Sequence, residues 1–190
     1  MLAFFRPALA TLALMTLLTG VAYPLAITGV AQVAMPVRAN GSQIEQEGTV
    51  IGSELIAQDF SSPSYFHPRP SAIGFDAASA GASNLGPTSA ELLATVEERT
   101  EAWRRDTGES DVPLEAVTAS ASGLDPDISL ENAHAQAARV TEARGAPRDE
   151  ILRIVHEATT GPWLGIFGPA HVNVLEANLA LDAAFPGGAE

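Results

Sequence analysis

The 190-residue chain has no cysteine and no lysine. Without cysteine there are no disulfides and no thiolate zinc sites, and the redox compartment is left open. Without lysine there is no P-loop of the form GxxxxGK[ST], whose lysine reaches the nucleotide phosphates. Intrinsic ATP hydrolysis by this chain is therefore not expected. Charge of either sign is missing between Arg6 and Arg38. From Ala39 onward the balance swings to acid, with 8 Arg against 23 Asp and Glu, a net −15. Such a surface repels phosphate backbones, so nucleic acid is excluded as a partner class.

The charge-free stretch is the first feature with a function of its own. Leu9 to Val33 is 25 residues of mainly apolar sequence, about 37 Å as a helix at 1.5 Å per residue. The hydrocarbon core of a bilayer is about 30 Å thick, so the run suffices to cross it with some tilt. Thr11, Thr16, Thr19 and Thr28 can bond back to their own helix. Pro24 is expected to kink it. Gly20 and Gly29 leave flat places where another membrane helix can approach. A cleavable signal is the competing reading, but its apolar region should be about 7–15 residues, followed by small residues. Val37-Arg38-Ala39 suits cleavage poorly. The expectation is a retained anchor over residues 7–35, with an N-tail (1–6) in the cytoplasm. Arg6 on one side and acidic residues on the other place the following domain outside, by the positive-inside rule.

Residues 36–48 read as a tether, and 49–190 as a small extracytoplasmic α+β domain. Residues 49–60 suggest one or two strands around Gly52. Residues 61–87 carry many turn formers, and a loop of that length is usually functional or disordered. Tyr65, Phe66 and Phe75 argue that it packs. Thr88 with Glu91 forms a capping box for a helix ending before Gly108. Ser129 caps a second helix running to Arg144, closed by Gly145. Pro147 suits the first position of a third helix over 148–160. Residues 171–185 begin as a strand and continue as a helix.

The densest polar stretch is 118-TASASGLDPDISLENAHAQAARV-140. Its Asp125-Pro126-Asp127 precedes a helix, whose first turn carries unsatisfied N–H groups and a positive dipole. A structural role at the helix start is therefore expected for the two carboxylates. The EF-hand spacing is absent, and the serines lack a GxSxG context. His67, His134, His156 and His171 share no metal-ligand spacing such as HExxH. No catalytic or metal-ligating set is expected, and 79-SAGASNLGP-87 is at most a weak anion cradle.

Several segments, in order along nearly the whole chain, carry a resemblance: 53-SELIAQDF-60, 65-YFHPRPSA-72, 81-GASNLGPTS-89, 118-TASASGLDPDIS-129, 139-RVTEARG-145 and 172-VNVLEANLALD-182. They resemble the KdpC family, one of the subunit families of the Kdp-type potassium-transporting ATPase. The resemblance implies a non-catalytic, single-pass subunit of the inner (cytoplasmic) membrane. Its implied partners are a channel-like potassium-binding subunit, a P-type ATPase subunit and a small peptide subunit. The implied function is support of ATP-driven potassium import, through assembly and by raising the ATP affinity of the ATPase subunit. No cofactor is expected to be held firmly by this chain; ATP enters only through the partner. The family commonly has a basic residue where His171 stands, and often His where Asp127 stands. Gly20, Gly29, Arg69, Asn84 and Asp125 are the residues expected in contacts between subunits or in structural motifs. The alternative is a membrane-anchored extracytoplasmic enzyme using Asp125 and Asp127.

Overall fold

The computed structural model describes residues 2–186. Met1 of the expected N-tail and residues 187–190 of the expected outer domain lie outside the described residues. The chain divides into two units, Met1–Val50 and Ile51–Glu190.

The first unit is mostly helix: α1 (Leu2–Leu17), a π-helical turn (Leu18–Ala22), α2 (Tyr23–Ala34) and a short α3 (Pro36–Ala39). Phe4–Ala34 is long and apolar enough to cross a membrane, with a mean hydropathy of 1.7 and no burial within the chain. Thr19 donates to the Met15 carbonyl at 2.7 Å, so its hydroxyl is satisfied inside the helix. The backbone ladder changes just ahead of Pro24. The Tyr23 N–H, just before the proline, reaches back five residues to the Leu18 carbonyl, so the ladder widens by one π turn. Such single-turn bulges absorb a local break in the i→i−4 pattern. The segment read as a tether is also more structured than expected. It holds α3 and then β1 (Gln43–Gln46), which pairs with β2 (Thr49–Ser53). Glu47 and Gly48 link these strands with φ of 53° and 78°, the positive pair that a tight I′ hairpin turn requires.

The second unit is built from α4 (Ala90–Thr107), α5 (Leu114–Val117), β3 (Asp127–Ser129), α6 (Leu130–Arg144), α7 (Arg148–Glu157), β4 (Thr159–Thr160), β5 (His171–Asn173) and α8 (Val174–Ala184). It is α+β. β3, β5 and β4 form an antiparallel sheet in that order, with Ile128 opposite Val172 and Thr159 also opposite Val172. Ile128 and Val172 point into a core completed by Phe66, Ala133, Ala137, Val140, Ile151, Ile154, Val155, Ala177 and Leu181. By the two-residue alternation of a strand, Asp127, Ser129, His171 and Asn173 belong to the opposite face.

Three helix boundaries differ from expectation. The cap of α4 is Ser89, not Thr88, and its hydroxyl accepts from the Leu92 N–H at 3.4 Å. Pro147 is the N-cap of α7 with extended ψ, one residue before the helix proper. That helix ends at Glu157 instead of 160, because Thr159 and Thr160 are taken up as β4, where β-branched residues fit the pleat. Ser129 and Gly145 lie where expected: Ser129 Oγ accepts from Asn132 N–H at 3.1 Å, and Gly145 adopts φ of 60°.

The long loop 61–87 is held by side chains from distant helices. The Gln136 amide both accepts from His67 N–H (2.7 Å) and donates to His67 C=O (3.1 Å). Asn178 does the same for Phe66, at 2.8 and 2.9 Å. Each amide thus imitates one rung of a β-ladder, satisfying backbone groups that burial would otherwise orphan. Arg139 donates to the carbonyls of Pro63 and Tyr65. Arg144, whose side chain is fully enclosed, donates to Ser64 C=O, Phe185 C=O and Asp182 and lies over the Tyr65 ring.

Candidate functional site

The stretch 118–129 packs against the loop 70–81 at a place that tolerates no side chain. A Cβ on Gly123, itself at φ of 70°, would lie 2.5 Å from Ile73 Cγ1 and 3.0 Å from the Gly81 carbonyl. Gly81 N–H donates to Ser122 C=O (2.8 Å), and Ser120 N–H donates to Pro70 C=O (3.0 Å). This docking brings Arg69 to Asp125. Arg69 Nη1 donates to Asp125 Oδ2 at 2.9 Å, with the two side chains 25% and 30% exposed. The other carboxylate oxygen, Oδ1, accepts from Asp127 N–H at 3.2 Å and closes an Asx turn around Pro126. Arg69 and Asp125 border an open groove of about 490 Å³, together with Leu55, Ile56, Ser122 and Leu124.

Asp125 therefore does not act on the helix as expected. Strand β3 separates it from α6, and the distant carboxylate that bonds the helix start is Glu115 of α5. Glu115 Oε1 accepts from Ser129 N–H at 2.6 Å and from Asn132 Nδ2 at 3.3 Å. Neither bond is legible in the sequence, since Glu115 is 14 residues from its backbone partner.

Asp127 faces β5. Its Oδ1 accepts from Asn173 Nδ2 at 3.3 Å, and its Oδ2 lies 3.7 Å from His171 Nε2, an ion pair when that ring is protonated. Burial holds the Asp127 carboxyl above its ordinary range; His171 and the Asn173 bond oppose this, and the Asp125 charge adds to it. Asn173 also donates to the Glu54 carbonyl (2.8 Å), while its Oδ1 caps α8 by accepting from Glu176 N–H (3.1 Å). One side chain thus ties β3, the segment after β2 and a helix start together. Burial, then the charges of Glu54 and Asp127, also raises the neighbouring Glu176.

Asn84 is remote from this cluster in its bonding. It takes φ of 54° and donates to Ala82 C=O, as a left-handed turn residue does. Gly20 lies in the π-helical turn and Gly29 in α2. Among the described residues, no group of three or more His, Asp or Glu is disposed to hold a metal. Asp125 thus has its charge matched by Arg69 and its other oxygen held by its own loop.

This arrangement has relatives. The family model described as "KdpC: K+-transporting ATPase, c chain" matches residues 5–183. The chain belongs to the KdpC family. A potassium-transporting ATPase KdpC subunit of Cereibacter sphaeroides is 55% identical over 184 residues, covering 97% of this chain and 99% of the relative. The corresponding protein of Rhodospirillum rubrum is 55% identical over 190 residues, covering 98% of each. That of Caulobacter vibrioides is 48% identical over 189 residues, with 98% and 96% covered. The KdpC match takes in the apolar helix and the α+β domain alike, so both regions are family features.

Proposed function

We propose that this chain is the non-catalytic KdpC component of an ATP-driven potassium importer. It is anchored by residues 7–35, preceded by a short cytoplasmic tail (1–6) and followed by a tether (36–48) and an extracytoplasmic domain (49–190). The observation that carries the reading is the family match across nearly the full chain. Its partners are a channel-like potassium-binding subunit, a P-type ATPase subunit and a small peptide subunit, with Gly20 and Gly29 facing a partner helix. The acidic domain belongs outside because Arg6 precedes the span and acidic residues follow it. From there, assistance to ATP binding by the ATPase subunit travels through the membrane helices and not through nucleotide contact. The Arg69–Asp125 tie supports this over an enzyme using Asp125 and Asp127.

The test is copurification of the full-length chain from native membranes with a potassium-stimulated ATPase. Recovery without any such partner rejects the reading. Replacing Gly20 or Gly29 by Leu should weaken recovery without unfolding the domain; a Cβ added at Gly20 meets nothing closer than Thr16 Cγ2 at 3.9 Å, and one at Gly29 meets nothing within 4 Å, so the lone chain has room there. A reporter active only outside the cytoplasm, fused after Glu190, should be active.

A further inference from the structure

The second unit hides most of its large apolar side chains, but one turn presents them outward. Between β4 and β5 the chain reads 161-GPWLGIFGPA-170. Trp163, Leu164, Ile166 and Phe167 are 70%, 71%, 75% and 58% exposed. The turn is ordered by its own backbone. Trp163 N–H donates to Phe167 C=O at 2.9 Å, and Ile166 and Phe167 donate back to Trp163 C=O at 3.2 and 3.0 Å. Leu164 and Gly165 take the positive φ values this requires, 53° and 76°, and the Trp163 and Phe167 rings lie 5.7 Å apart. Residues 158–170 carry no charge, within a strongly acidic unit. A single exposed leucine needs no explanation, but four large apolar residues on one ordered turn mark an interaction site.

We propose that this turn is a docking knob that inserts into an uncharged, apolar pocket on a fellow subunit of the potassium-transporting ATPase. This rests on the subunit reading above. A lipid surface is the other apolar destination. Stable attachment to lipid takes a second signal, commonly a basic patch beside the apolar wedge. The turn has none, and the nearest arginine in sequence, Arg153, already holds Glu150 and Glu157. The net −15 after Arg38 works against approach to anionic headgroups as well. Four side chains on a five-residue turn make a narrow projection that suits a pocket, and tryptophan is enriched at the centres of such contacts. Only the 16 residues 35–50 separate the apolar helix from the second unit, and the α3 turn and hairpin they hold keep their reach below about 58 Å, that of a fully extended chain. A partner embedded beside that helix stays within range, which raises the effective concentration of a small contact.

The absence of cysteine makes the test direct. Ile166→Cys, and Glu109→Cys on another exposed turn as control, are made in the full chain. Each is labelled with a water-soluble maleimide on sheared membranes, with and without coexpressed complex, and in lipid vesicles holding the subunit alone. Relative to the control, Ile166→Cys labelling should slow at least tenfold only when the complex is present. Equal rates with and without the complex overturn the proposal, as does protection in vesicles that hold the subunit alone, which assigns the turn to the bilayer. Copurification of both variants is scored separately. If the unsubstituted chain recovers no partner, the subunit reading fails and not the knob alone.

Discussion

Leu14 and Leu181 are the same residue in opposite circumstances. Leu14 lies on a helix with no buried residue, 64% exposed, while Leu181 is completely enclosed by the core of the second unit. The first region is stable as a helix because every backbone bond is internal, and it requires of its surroundings only that they be apolar. The second gains stability from burial against its own chain, so each buried apolar residue there has specific neighbours. Similar composition therefore carries different information. Within the lone chain the helix leucines are interchangeable, and the buried leucines of the domain are not.

The sharpest way to break this contrast is to make the same truncation twice. Leu181→Ala should cost about 2–5 kcal/mol of domain stability, through lost burial and a cavity, read by denaturant unfolding of the full chain in micelles. Leu14→Ala should leave that transition where it is, and an equal loss would abolish the distinction.

Polar groups sharpen it next. Asn178→Leu leaves both Phe66 backbone groups without their partners, at about 1–3 kcal/mol. Thr19→Val removes a bond confined to its own helix and should not move the same unfolding curve.

A smaller effect is expected at Asp125. Asp125→Asn keeps the Asx turn but weakens the pairing with Arg69, and partly exposed ion pairs contribute about 0–1 kcal/mol. Potassium uptake by the assembled complex should remain near normal. Lost uptake in a variant that still folds and assembles would make Asp125 a working group and not a loop tie.

The smallest effect is on pH dependence. Burial, followed by the Arg139 charge, lowers the His67 pKa. Nε2 lies 3.0 Å from the Ser62 carbonyl and 3.3 Å from Arg139 Nη1, so it can donate to the first or accept from the second but not both. The unfolded ring takes up a proton near pH 6.5, while the folded ring refuses it until lower pH. Stability should therefore fall as pH drops below about 6.5, and His67→Gln should flatten that slope in thermal unfolding. Asp127 works with the opposite sign: its raised pKa means stability is lost as pH rises from the ordinary carboxylate range through its folded value. An unchanged slope in His67→Gln would assign the acid sensitivity to other groups.

The sequence by itself determined what depends on near neighbours. An apolar run of sufficient length is a helix suited to lipid whatever follows it. Ser129, Gly108 and Gly145 mark helix ends because their chemistry acts within three or four residues, and the alternation at Val172 and Val174 announces a strand turning into a helix. Even there, the choice between Thr88 and Ser89 as cap was settled by geometry. Tertiary structure alone decided which distant groups meet. Arg69 finds Asp125 across 56 residues, Gln136 finds His67 across 69, and Asn178 finds Phe66 across 112. Glu115, unmarked by any motif, replaces Asp125 at the start of α6. A local pattern cannot encode these pairings, because each exists only after burial of the shared core has paid the entropy of closing the loops between them.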